Sequence, residues 1–107
     1  MRIFIDESDR AGKQPLYTAV VDELRQAGFS GATVFKGIEG YGSHNELHAA
    51  RVFDMSTNLP VLIEVVETEE RIERIIPRLR ELISEGLITL ERITMIPLSA
   101  ARSNAHE

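Results

Sequence analysis

Apolar and polar positions along the chain alternate between two periods, and that alternation divides it into six elements. Residues 2–6 alternate weakly and are rich in isoleucine and phenylalanine, which suits a short strand. Asp6-Glu7-Ser8-Asp9-Arg10-Ala11-Gly12 reads as polar loop. Pro15 stands where a helix begins, because its missing amide costs nothing at the first helical position. Leu16, Val20, Leu24 and Ala27 then recur at helical spacing, Asp22, Glu23, Arg25 and Gln26 point away, and Gly28 is placed to cap the end. A strand over about 32–38 follows, then a glycine-rich segment and a stretch to about 57. Pro60-Val61-Leu62-Ile63-Glu64-Val65-Val66 is β-branched and almost continuously apolar, the pattern of a central strand. Thr68 is an N-cap with Glu69 and Glu70 behind it, where the helix dipole favours negative charge. Ile72, Ile75, Ile76, Leu79, Leu82 and Ile83 make a broad stripe on the helix that follows, with Pro77 expected to kink it and Gly86 to cap it. Leu87 to Leu98 reads as a last strand, bent near Glu91, and Ser99 to Glu107 as a loose polar tail.

The order is β-α-β, a long loop, then β-α-β. A shift of 55 residues superimposes Leu24-Arg25 on Leu79-Arg80, Gly31 on Gly86, and Val20 and Val21 on Ile75 and Ile76. Two such split units predict an α+β, ferredoxin-like βαββαβ sandwich: a four-stranded antiparallel sheet with two helices on one face. The other sheet face then has no helix over it. With a strand as apolar as 60–66, sheet-on-sheet oligomerisation is the expected remedy.

The candidate chemistry lies after the second strand, in Lys36-Gly37-Ile38-Glu39-Gly40-Tyr41-Gly42-Ser43-His44. Three glycines within six residues allow close approach to the backbone, and successive exposed amides form an anion nest. The glycine intervals fit neither a Walker A motif nor a dinucleotide-binding fingerprint. Lys36 and Arg51 flank the segment, either as cations for an anionic ligand or as ordinary surface charge. His44 and His48 are four apart and would share a helix face near Arg51. With Glu39 or Glu46 they could hold a metal; otherwise they face solvent or contact an anion. Lys13 and Tyr17 could line the same cleft or serve surface and packing roles. Glu64, a carboxylate in an apolar strand, is expected to pair with Arg74 or Arg78 or to face an interface rather than to act as a buried acid.

Composition narrows the partners. At 107 residues the chain is one domain, long enough for a single core but marginal for enclosing a deep pocket alone. Its 12 basic and 17 acidic side chains give a net charge of −5, unfavourable for nucleic-acid binding. It has no cysteine, which excludes disulfides and thiol chemistry. No apolar run is long enough to span a bilayer and the amino terminus lacks a secretory pattern, so a cytoplasmic location is expected. No serine or threonine has a base and an orienting acid at a motif spacing, and an enzyme is not expected.

Several segments together resemble the PII-like proteins of the family catalogued as domain of unknown function 190. They are Gly12-Lys13-Gln14-Pro15-Leu16-Tyr17, Gly31-Ala32-Thr33-Val34 leading into Gly37-x-x-Gly40-Tyr41-Gly42-x-His44, the strand Leu59 to Val66, and Glu85-Gly86-Leu87-Ile88-Thr89-Leu90-Glu91. The resemblance implies a PII-like homotrimer with residues 1–98 as the ferredoxin-fold domain, 43–58 as a mobile loop and 99–107 as a flexible tail. It implies an effector, ATP, ADP or AMP, in the cleft between subunits, with no cofactor required. The implied ligand residues are Lys36, Gly40, Gly42, Ser43, His44 and Arg51, with Arg102 as a further candidate from the tail. It also implies signalling through the loop to a protein target such as a membrane transporter. The chain departs from PII proteins between the second helix and last strand, where a second phosphate loop is reduced to Glu85-Gly86-Leu87-Ile88-Thr89, with one glycine and no lysine. The alternative is a trimeric metal-binding protein using His44 and His48.

Overall fold

The computed structural model describes residues 1–42 and 58–98. Strand β1 (Arg2–Asp6) leads into a small hairpin of β2 (Arg10–Ala11) and β3 (Gln14–Pro15), then helix α1 (Leu16–Gln26) and strand β4 (Thr33–Lys36). Strand β5 (Pro60–Glu64), helix α2 (Glu69–Leu82) and strand β6 (Leu87–Thr89) complete the order. Strands β4, β5, β1 and β6 lie side by side in that sequence, every neighbour antiparallel. Each βαβ unit therefore leaves a gap that a strand of the other unit fills, the ferredoxin-like interleaving that the alternating periods predict.

Register sorts the side chains. Ile3 stands opposite Ile63 and Ile88, and Val34 opposite Ile63, so Ile88, Ile3, Ile63 and Val34 form one row on the helix side. Ile5 and Val61 form the next. These pack with Leu16, Val20 and Leu24 of α1 and Ile72, Ile75 and Leu79 of α2 into one buried core. Both helices thus cover one face, with apolar positions three and four apart turned inward.

Local chemistry sets the helix ends. Ala27 ends α1 and Gly28 follows at φ 89°, its N–H donating to the Arg25 carbonyl while the Phe29 N–H donates to Leu24. That is the left-handed turn for which glycine is suited. The hydroxyl of Thr68 accepts from the Arg71 N–H at 3.4 Å and caps α2. The α2 helix runs as one element through the exposed Pro77. It ends at Leu82 with Ile83 as cap, so Gly86 is not its terminator. Gly86 instead lies where a Cβ would come within 2.8 Å of the Phe4 carbonyl oxygen, and glycine lets the chain enter β6 close to β1.

Two other expectations change. The polar stretch after β1 contains the β2–β3 hairpin, turned at Gly12 with φ 64°. The last strand is three residues, not twelve: β6 stops at Thr89, opposite Arg2, where the pairing of β1 begins. Residues 90–98 continue as an exposed chain outside any element.

Candidate functional site

The glycine-rich turn leaves the sheet at the end of β4. Lys36 stands opposite Val61, and the next residue, Gly37, donates its N–H to the Pro60 carbonyl at 2.8 Å. The turn then packs on Pro60 itself. A Cβ at Gly37 or Gly40 would come within 3.0 Å of the proline Cγ, and Gly40 adopts φ 157°, so both positions require glycine for close approach. Gly42 differs, with no heavy atom of the described residues within 4 Å of where its Cβ would be. Ile38 and Tyr41 project almost fully into solvent. Among the described residues the amides of 38–42 have no hydrogen-bond partner, so the backbone from Ile38 to Gly42 is open to one.

Lys36 is already engaged. Its Nζ lies 2.7 Å from Glu7 Oε2, and this hydrogen bond holds the Glu7 carboxyl below its ordinary range while raising the lysine. Burial opposes the shift on Glu7, and the Leu59 amide reinforces it. Tyr17 lies near enough to bear on the Lys36 charge, so the first helix does contribute to this cluster. Glu7 also donates its own N–H to the Leu59 carbonyl at 2.8 Å and accepts weakly from the Leu59 N–H at 3.5 Å. Beside it the Ser8 hydroxyl donates to Asn58 Oδ1 at 2.7 Å. The turn after β1 therefore grips the end of β4 and the approach to β5 together. An anion arriving at Lys36 must share the lysine with Glu7 or displace it.

Three of the expected ligand residues, Lys36, Gly40 and Gly42, are brought into this one turn. Ser43, His44 and Arg51 lie outside the described residues, as do Glu46, His48, Arg102 and all of the expected 43–58 loop but Asn58. Lys13 sits exposed at the tip of the β2–β3 hairpin, and Glu39 is exposed beside Gly40. Among the described residues no three His, Asp or Glu side chains converge as a metal site would require. Glu64 pairs with neither Arg74 nor Arg78. It lies 3.0 Å from Arg2, its cross-strand neighbour on the open sheet face, while Arg74 reaches Glu70 and Arg78 bridges Glu23 and Glu81.

The open face carries a feature of its own. Leu87, Phe4, Leu62 and Phe35 stand opposite one another across all four strands, an apolar row with no helix over it among the described residues. Beyond it runs Thr89, Arg2, Glu64 and Thr33. At that end, away from the glycine turn, an open cleft of about 660 Å³ lies between the start of α2 and residues 89–95. Val66, Ile72, Leu90, Ile93 and Met95 form its apolar lining, and the ion pairs of Arg2 with Glu64 and Glu91 close one side. Periodicity could locate neither the cleft nor Glu7, because both depend on cross-strand register. Among the described residues no helix is long and apolar enough to cross a membrane.

Comparison with known proteins places these features in a family. The DUF190 family model, described as "Uncharacterized ACR", matches residues 1–95. A UPF0166 protein of Aquifex aeolicus (strain VF5) is 35% identical over 98 residues, 92% of each chain. A UPF0166 protein of Methanocaldococcus jannaschii is 41% identical over 91 residues, 84% of this chain and 83% of its own. A second Aquifex aeolicus UPF0166 protein is 37% identical over 73 residues, 68% of this chain and 76% of its own.

Proposed function

The chain belongs to the DUF190 family, and from that premise and its geometry we propose that it is a PII-like regulatory protein rather than an enzyme. It assembles as a homotrimer and binds an anionic effector, an adenine nucleotide, in the cleft between subunits. The bound state is reported to a partner protein, such as a transporter, through the segment that follows Gly42. No cofactor is required, and the setting is the cytoplasm.

One observation carries the reading. Among the described residues, a lysine ends an edge strand immediately before a turn whose amides, from Ile38 to Gly42, are open, and the same sheet leaves its other face bare. A cation beside successive free N–H groups is the arrangement that holds phosphate oxygens. A bare apolar row is what an assembling sheet needs. Gly86 packs against Phe4, and 85–89 has one glycine and no lysine where PII proteins carry a second phosphate loop. The effector's hold rests on the turn after β4.

Isothermal titration calorimetry against ATP, ADP and AMP, with and without magnesium, tests this directly. Saturable binding near one nucleotide per subunit is the expected result. No heat and no change in unfolding temperature at millimolar nucleotide overturns it. A shift produced by zinc and reversed by chelator would instead favour the metal reading at His44 and His48.

A further inference from the structure

Glu7 belongs to the sheet and to the effector turn at once. It follows β1, whose pairing with β5 runs to Asp6 opposite Pro60. One step further, the Glu7 N–H donates to the Leu59 carbonyl at 2.8 Å, continuing the antiparallel ladder. Residues paired in this way normally exchange two backbone hydrogen bonds. Here the return bond, from the Leu59 N–H, goes instead to the Glu7 side chain, whose Oε1 accepts it at 3.5 Å. The other carboxylate oxygen, Oε2, lies 2.7 Å from Lys36 Nζ. One carboxylate therefore closes the β1–β5 ladder and neutralises the lysine at the head of the turn.

The two partners are unequally open to an arriving ligand. The Glu7 side chain is 21% exposed and that of Lys36 54%. The carboxylate is held by its own backbone pairing, by the Leu59 N–H and by Lys36, while the ammonium keeps a side to solvent. An ammonium has three donors, so hydrogen-bond capacity alone would let it serve two anions. Charge opposes that sharing: a phosphate on Lys36 would stand beside the carboxylate, and like charges at that separation repel. Because Glu7 is tethered, it also competes at a high effective concentration.

We infer that Glu7 is a built-in competitor of the effector: the bound phosphate takes Lys36, displaces the Glu7 carboxylate, and thereby releases the Leu59 amide at the approach to β5. This rests on the effector reading above and names the group that an anion must displace. In the empty site the ion pair supports the fold and weakens the site, so removing the carboxylate's charge exchanges stability for affinity. In the occupied site a change at the end of β4 is passed to the start of β5, because the two oxygens of one carboxylate serve both places. A purely structural Glu7 would lower stability when neutralised and leave affinity alone.

Calorimetry with ATP is carried out on the unmodified protein, Glu7→Gln, Lys36→Gln and the double variant, each checked for intact helical circular dichroism. Glutamine keeps the shape of glutamate and an oxygen for the Leu59 N–H, so the charge alone is removed. Glu7→Gln should bind ATP about two- to fivefold more tightly, the scale of an exposed ion pair, while its urea midpoint falls. Lys36→Gln should bind more weakly, and adding Glu7→Gln should not restore it. In the unmodified protein, saturating ATP should speed amide hydrogen exchange at Leu59 relative to Ile63 in the same strand. Unchanged or weaker ATP binding by Glu7→Gln overturns the competition. An equal gain on the Lys36→Gln background overturns the lysine as the contested group, and Leu59 exchange unmoved by ATP overturns the displacement. In those three cases the unmodified protein still binds ATP and the effector reading stands. Absence of ATP heat from both the unmodified protein and Glu7→Gln overturns that reading and this inference together.

Discussion

Replacing Gly86 with alanine should destabilise the fold measurably, although the position is exposed and the added group is one methyl. The new Cβ would stand 2.8 Å from the Phe4 carbonyl oxygen, 3.1 Å from Ile5 Cγ2 and 3.2 Å from Ile83 Cγ2. The isoleucine contacts can yield by small rotations. The carbonyl cannot, because β1 is hydrogen-bonded to β5 on one side and β6 on the other, so relief requires shifting a central strand or the entry to β6. Overpacking of this kind costs roughly 1–3 kcal/mol. Restricting the unfolded chain returns about 0.4–1 kcal/mol, leaving a net loss near 1–2 kcal/mol. For a domain of this size that lowers Tm by about 5–10 °C. Gly31→Ala is the control, since no heavy atom lies within 4 Å of its Cβ position and its φ is not left-handed. Urea unfolding followed by circular dichroism, at one protein concentration for all variants, gives the comparison. A midpoint for Gly86→Ala equal to that of Gly31→Ala would refute the account of how the chain enters β6.

Glu7→Gln should lower stability at neutral pH and cease to matter in acid. The Glu7 carboxyl is depressed below its usual 4.5 by Lys36, so its contribution is complete above that value and disappears as pH falls through the lowered one. Urea midpoints for the two proteins should therefore converge as pH falls below 4.5, and a difference that stays constant into acid would show that charge is not the cause. Gly42→Val should leave the unfolding midpoint unchanged, because the site is empty around the Cβ, while abolishing nucleotide heat in calorimetry. Unchanged affinity in that variant would sink the proposed phosphate site. Leu79→Ala removes a fully buried side chain facing the sheet and should cost about 2–5 kcal/mol in urea titration; a loss well below 1 would mean that α2 is packed otherwise.

The elements with a strong internal period were legible from the sequence. Leu16, Val20 and Leu24 identify α1 and its buried side, and Ile72, Ile75 and Leu79 do the same for α2. The almost continuous apolar run from Val61, broken by Glu64 alone, predicts a central strand, and β5 is central. The β2–β3 hairpin escaped because two-residue strands are too short to show a period. Its signal was Gly12-Lys13 as a two-residue loop, with glycine at the one position that needs positive φ. Pairings across the sheet escaped for a different reason. Glu64 meets Arg2 and Glu7 meets Lys36 only once register is known, and helix spacing points instead to neighbours along the chain. Three of the six proposed ligand residues fall within the described turn, and there the structure adds Glu7, a competitor for Lys36 that no motif revealed.

The last strand is the instructive disagreement, because the period and the ladder measure different things. Alternation of apolar residues reports what a segment is able to do when another strand lies beside it. Hydrogen-bonded pairing reports whether such a strand is present. From Leu87 to Thr89 the two agree, because Phe4 to Arg2 lie opposite. From Leu90 onward the capacity continues without the partner: Glu91 and Arg92 keep the alternation through their ion pairs, and the apolar positions after them stay exposed. Nine residues built for a sheet yet unpaired among the described residues are destabilising when left in water, through both solvated apolar surface and an open edge.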